Sequence, residues 1–142
     1  MKILKALSIT AVLLLFLTSF TSLLGDSPHV GRWKGEDKSN IGFLELTSDG
    51  YAILEFNGSK MGGKSYFHDG KELAMTYQID DKQLPIAIDL IRIDKSDDTE
   101  VGRLKGILEM KSKDQLHIAL GFGREARPTD FTTDALLFSR VK

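Results

Sequence analysis

After residue 25, most of the chain alternates apolar and polar residues with a period of two. Three segments show this most clearly, at 70–80, 103–111 and 115–122. On one face they carry Leu73, Met75, Tyr77 and Ile79; Leu104, Leu108 and Met110; Leu116, Ile118, Leu120 and Phe122. Segment 85–94 is nearly apolar on both faces, apart from Asp89 and Arg92. A period of two predicts half-buried antiparallel strands.

Turn residues separate these segments. Asp49-Gly50 and Asp69-Gly70 are typical of tight hairpins, because both residue types tolerate the positive φ angles that such turns need. Beyond the N-terminal leader, nothing of length has helical spacing, and 123–134 reads as a loop. The pattern predicts eight or nine strands: 30–36, 41–48, 51–57, a weak one at 64–68, 72–79, 86–93, 102–111, 115–122 and 135–141. An all-β, antiparallel up-and-down barrel without unpaired edges is expected, with a sandwich as the alternative.

The first 25 residues differ from the rest. Lys2 and Lys5 precede an uncharged, largely apolar run at 6–24, which is the pattern of a secretory signal peptide. We therefore predict a signal peptide at 1–25, a single barrel domain at 26–142, and a periplasmic or secreted protein. An uncleaved membrane anchor is the alternative, and the leader is then the only contact with a membrane.

The net charge bears on which partners the protein can bind, and the cysteine content bears on how its fold is stabilised. Removal of the leader takes away two lysines and no acids, so the formal net charge falls from −1 to −3. This balance gives no electrostatic basis for binding nucleic acid. The chain has no cysteine, so an exported domain must be held together by burial of its core rather than by disulfides. The oligomeric state does not follow from the sequence.

The stretch VGRWKGE at 30–36 resembles the G-x-W start of lipocalins and other calycins, with Gly31 and Trp33 at the motif positions. More closely, the chain resembles a small bacterial, exported, lipocalin-like domain family of unassigned function. The matching segments are LELTSDGY (44–51), MTYQID (75–80), LPIAIDL (84–90), GILEM (106–110), DQLHIAL (114–120) and ARPTDF (126–131). The resemblance covers almost all of 30–142 and implies a fold, not a reaction.

In calycins the tryptophan closes one end of the barrel under a basic side chain from the last strand. The resemblance therefore implies that Arg140 lies across Trp33, with Arg127 as a second candidate. Trp33 is expected to be structural rather than a ligand contact. Asp89, on an apolar strand, needs a partner if it is buried, because an unpaired carboxylate in a dry core is very costly. Arg127 is again the first candidate.

The expected function is non-catalytic binding of a small apolar molecule in the barrel. An eight-stranded barrel is just wide enough for packed side chains or one small ligand. The candidate lining consists of Leu73, Met75, Tyr77, Leu108, Met110, Ile118 and Leu120. The alternative is a filled barrel that serves as a structural or protein-interaction module of the cell envelope. An empty apolar cavity of about 300 Å³ or more favours the ligand.

Other motifs carry no chemistry. His29, His68 and His117 lack metal-ligand spacing, and the acidic loop at 95–102 lacks the order of a calcium loop, so neither a metal nor a cofactor is expected. GSKMGGKS at 58–65 matches the letters of a phosphate loop, but no helix is expected after it, so we interpret it as a mobile loop at the barrel mouth. No nucleophile motif is present.

Overall fold

The computed structural model describes residues 27–36, 40–133 and 135–142. Within these ranges the chain is all-β, with nine strands in one closed, antiparallel, up-and-down barrel, as the sequence predicted. The signal peptide predicted at 1–25 lies outside the described residues. The strands are β1 Gly31–Lys34, β2 Ile41–Leu46, β3 Ala52–Phe56, β4 Ser59–His68, β5 Lys71–Asp80, β6 Ile86–Asp94, β7 Thr99–Ser112, β8 Gln115–Leu120 and β9 Ala135–Arg140.

The fourth strand differs most from the prediction. The sequence predicted a weak strand at 64–68 after a mobile glycine loop, whereas β4 begins at Ser59. The interpretation of 58–64 as a mobile loop is therefore wrong. The first half of β4 pairs with β3, and from Gly63 onward it pairs with β5.

A corner in β4 lets the barrel close. Nine straight strands cannot all be antiparallel to both neighbours in a ring, because their directions would alternate and the last would run parallel to the first. Here β1 and β9 are nonetheless antiparallel. The ring closes because β4 bends at Gly62 and Gly63, both at positive φ, while Tyr51, just before β3, bridges directly to Thr76 of β5. With β3 next to β5 beyond the corner, the other eight strands alternate in direction around the ring, and β9 runs antiparallel to β1.

The inner faces of the strands form the barrel core. This cluster is apolar throughout and consists of Trp33, Ile41, Leu44, Leu46, Ala52, Leu54, Met75, Ile88, Leu90, Leu108, Leu116, Ile118, Leu120 and Phe138. The outer face of β6 is buried too, at Ala87, Asp89 and Ile91. This burial explains why the segment is nearly apolar on both faces.

The strand registers define two ends. One end contains Trp33 and is called the closed end. Strands β1, β6 and β8 begin there, and strands β5, β7 and β9 end there. The opposite end, with the first residues of β5 and β7 and the last of β6 and β8, is called the open end. Phe122, expected on the inner face of a strand, follows the last residue of β8 and is 45% exposed there.

Candidate functional site

The closed end is built around Trp33, which is fully buried. Its indole Nε1 donates a hydrogen bond to the carbonyl of His29 at 3.0 Å. The guanidinium of Arg140 lies 4.2 Å from the ring centroid, as the resemblance implied. This stacking is attractive because the ring face is electron-rich, and it strengthens as water is excluded.

Arg140 also joins the segment before β1 to the turn between β7 and β8. Nη1 and Nη2 donate to the carbonyls of Val30 and Pro28 at 2.9 and 2.6 Å, and Nε donates to that of Lys113 at 2.9 Å. A Cβ at Gly31 would lie only 2.6 Å from Arg140 Nη1, so the glycine of the motif makes room for the guanidinium. The motif glycine, the tryptophan and the arginine thus form one structural unit.

Arg127 does not contact Trp33. It lies on the outer face of β6, where its Nη1 is 2.7 Å from Oδ1 of Asp89 and donates to the carbonyls of Gly106 and Ile88 at 2.8 and 3.3 Å. The expectation that Arg127 could cover the tryptophan is therefore wrong, and the expected partnership with Asp89 is present. Because the donors of Nη1 are directed at carbonyls, Oδ1 has no aligned hydrogen bond among the described residues.

A second arginine completes the partnership of Asp89. Arg103 Nη1 donates to Oδ2 at 2.7 Å, and its Nη2 is 2.7 Å from Glu100. Burial raises the pKa of Asp89, but the close contact with Arg127, the hydrogen bond from Arg103 and the two positive charges outweigh this effect and hold the pKa below its usual value. The network fastens the connection between β8 and β9 to β6, which is a structural role.

The open end contains a cavity of about 430 Å³. Its apolar wall is formed by Leu54, Met61, Met75, Leu90 and Leu104. Its rim carries Arg92, Arg103, Arg124 and Glu125, together with Gly121, Phe122 and Gly123 from the start of the β8–β9 connection. Phe122 also packs at 6.1 Å from the ring of Phe56 and so reaches across this end of the barrel.

Of the seven residues expected to line a ligand site, Met75 lines this cavity. Leu108, Ile118 and Leu120 lie in the packed barrel core, at 2% exposure or less, and Leu73 is also buried. Tyr77 donates to the carbonyl of Thr47 at 2.8 Å, and Met110, which packs against the core, borders an open depression beside Leu84 at the closed end. The difference arises because the interior around Leu73, Leu108, Ile118 and Leu120 is filled by packed side chains, whereas the cavity opens beside Met75.

Sequence reasoning did not select Arg92 or Leu90. The signal was nevertheless available, because alternation along β6 places Ile88, Leu90 and Arg92 on one face. Only the ring closure shows that this face is the inside and that its last member lies at the mouth.

The three histidines lie apart from one another. Ser27 contacts His29, His68 is 3.4 Å from Asp69, and His117 is 3.0 Å from Glu109 while stacking on Phe131 at 4.5 Å. Across the described ranges, no three acidic or histidine side chains converge as a metal site would require.

Nor do those ranges contain a helix that could span a membrane. Comparison with models of protein families finds no match, and neither do comparisons with curated proteins and with solved structures. The closed antiparallel barrel is consistent with a lipocalin-like fold.

Proposed function

We propose that this protein is an exported, non-catalytic barrel that binds a small, mainly apolar molecule at its open end. The observation that carries the proposal is the cavity of about 430 Å³ with an apolar wall. Small-molecule sites are concave, mostly apolar and about 300–1,000 Å³ in volume, with a few polar groups at fixed positions. The cavity has both features.

The division of the interior supports a site at the mouth rather than along the barrel axis. The closed half is packed with core side chains, among them Leu116, Ile118 and Phe138, which are fully buried. A ligand therefore enters from the open end and reaches Met75 and Leu90 as its floor. Phe122, partly exposed beside the entrance, supplies an aromatic edge.

Two fluorescence titrations test this proposal, with the uncharged apolar probe N-phenyl-1-naphthylamine. The first compares the wild type with Leu104→Phe, which fills the cavity wall. The second compares it with Leu84→Phe, the same substitution at a residue that is 89% exposed and remote from the cavity. We expect saturable binding of the probe that is weakened at least about fivefold in Leu104→Phe and unchanged in Leu84→Phe. The larger side chain at residue 104 occupies space that the probe would fill, which removes apolar contacts between probe and protein worth about 1 kcal/mol or more.

The alternative is a structural or interaction module. It is favoured by the exposure of Leu84 beside Pro85 and Ile86, which form a shallow apolar depression with Leu108 and Met110. Absence of saturable probe binding, together with no co-purifying molecule in native mass spectra of protein from its own host, would favour this alternative. A mature N-terminus near residue 26 in the same spectra would support export.

A further inference from the structure

The open end also carries polar groups without partners. The guanidinium of Arg92 lines the cavity and makes neither an ion pair nor a hydrogen bond within the described part of the chain. The hydroxyl of Tyr66 is buried and has no hydrogen-bond partner among the described residues. Buried polar groups are nearly always satisfied, so the Tyr66 hydroxyl calls for a partner, while the half-buried guanidinium of Arg92 is open to a ligand in the cavity.

Arg92 and Tyr66 belong to the same inner surface. Arg92 pairs with Met75 across β5 and β6, and Tyr66 pairs with Leu73 across β4 and β5. Directly opposed residues share a face, and Leu73 and Met75 are two positions apart, so all four side chains project to the side of the barrel core. Burial raises the pKa of Tyr66, and the positive charge of Arg92 acts against this rise.

The absence of a side chain at Gly102 makes room for the guanidinium of Arg92. Arg92 is directly opposite Gly102 in the register of β6 and β7. A Cβ at residue 102 would lie 2.5 Å from Nη2 and 2.8 Å from Nε of Arg92, so the guanidinium lies against bare backbone. The planar fork of an arginine loses little freedom for each hydrogen bond that it makes to a carboxylate or a phosphate.

Neighbouring charges leave Arg92 available. Arg103 is paired with Asp89 and Glu100. Asp94, the next residue on the inner face of β6, accepts hydrogen bonds from Ser96 at 2.9 and 2.7 Å. Arg92 is therefore the arginine of the cavity lining whose guanidinium has neither an ion pair nor a hydrogen bond within the described residues.

We propose that the ligand is an amphiphile with an apolar tail in the cavity and an anionic head, a carboxylate or a phosphate, bound by Arg92 and the Tyr66 hydroxyl. This inference rests on the proposed function, because it names the ligand class of the same cavity. The tail accounts for the apolar wall, and the head satisfies both unused donors. Arginine suits such a head because its fork can bind two oxygens at once.

Calorimetric titration at pH 7.5 with dodecanoate, dodecyl phosphate and dodecan-1-ol tests the inference, since the three probes share one tail. We expect at least one anion to bind about tenfold or more tightly than the alcohol, the range for a hydrogen bond to a charged group. The relative affinity of the two anions identifies the head. Arg92→Met should abolish the preference and leave the alcohol within twofold. Arg32→Met, which removes an exposed arginine stacked on Phe43, is the charge-matched control and should change neither.

Two milder variants guard against misfolding. Tyr66→Phe deletes only the hydroxyl, and Gly102→Ala keeps the charge of Arg92 but displaces its guanidinium. Each should reduce the preference for the anion at least threefold, with thermal melting used to show that the fold is retained. Equal binding of anions and alcohol, unchanged in Arg92→Met, would overturn the head-group inference and leave the proposed function standing. Failure of all three probes to bind would contradict both.

Discussion

Replacement of Trp33 should weaken the whole barrel through the closed end. The side chain is fully buried, and Trp33→Ala should lower the free energy of unfolding by about 3–5 kcal/mol, as for other buried aromatic residues. Since small domains have only about 5–15 kcal/mol of stability, this is a large fraction of the total. Burial alone would produce this loss, so a second perturbation is needed to isolate the contact with Arg140.

A double-mutant cycle of Trp33→Leu and Arg140→Met isolates that contact. Arg140→Met removes three hydrogen bonds to carbonyls, and because the side chain is 25% exposed we expect a loss of about 2–4 kcal/mol. Stacking on an indole contributes about 0.5–1 kcal/mol when exposed and about 2 when dry. With a buried ring and a partly exposed guanidinium, a coupling energy of about 1 kcal/mol is expected.

The cycle is measured by urea unfolding of all four proteins, followed by far-ultraviolet circular dichroism because Trp33 is the only tryptophan and its fluorescence is lost with it. Stability changes that add within about 0.3–0.5 kcal/mol would refute the reasoning. In that case Arg140 would act through its carbonyl contacts alone, and the ring would contribute only its burial.

Two further predictions concern the corner of β4 and the network of Asp89. Gly62→Ala should lower the free energy of unfolding by more than about 3 kcal/mol, because its Cβ would overlap the carbonyl oxygen of Ala52 and lie 2.9 Å from the Cα of Ile53. The control Gly58→Ala, also at positive φ but in open space, should cost only about 1–2 kcal/mol in the same urea assay. Equal losses in the two variants would contradict the clash at Gly62. For Asp89, the folded pKa lies below the usual 3.8, so its contribution to stability is present above pH 3.8 and is lost as the pH falls through the folded pKa. Asp89→Asn should therefore be less stable than the wild type at pH 7, with the gap narrowing in melts below pH 3.8; a gap independent of pH would show that the charge of Asp89 is not involved.

The sequence predicted the barrel because alternation and turn residues are local properties. Each predicted strand matches an observed one, and most ends agree within three residues. The exception is β4, where glycines at 58–63 masked a strand. The turn signal was present, because Asn57 and Gly58 both have positive φ and Phe56 pairs with Ser59, as in a two-residue hairpin. Weighing this signal predicts a strand from residue 59.

The candidate site was harder to predict from the sequence, because its position depends on contacts between distant parts of the chain. Alternation identifies the inner face of a strand but not which stretch of that face meets empty space. Leu108 and Ile118 have the same pattern as Met75, yet Phe138 and Leu116 pack into the half of the barrel that they occupy. Likewise, only the register of β6 and β7 shows that Arg92 lies opposite Gly102, which offers no side chain to pair with it.

Separation of the two ends allows stability and binding to vary independently. At the closed end, Trp33, Arg140 and Gly31 form a packed unit that joins the first and last strands, so changes there should lower stability throughout. At the open end, the guanidinium of Arg92 and the hydroxyl of Tyr66 make no hydrogen bond within the described residues, so Arg92→Met and Tyr66→Phe should cost little stability. The proposed ligand gives these two donors a role that their contacts within the fold do not. The same reasoning makes the ratio of binding loss to stability loss the sharpest distinction between a ligand-binding barrel and a purely structural one.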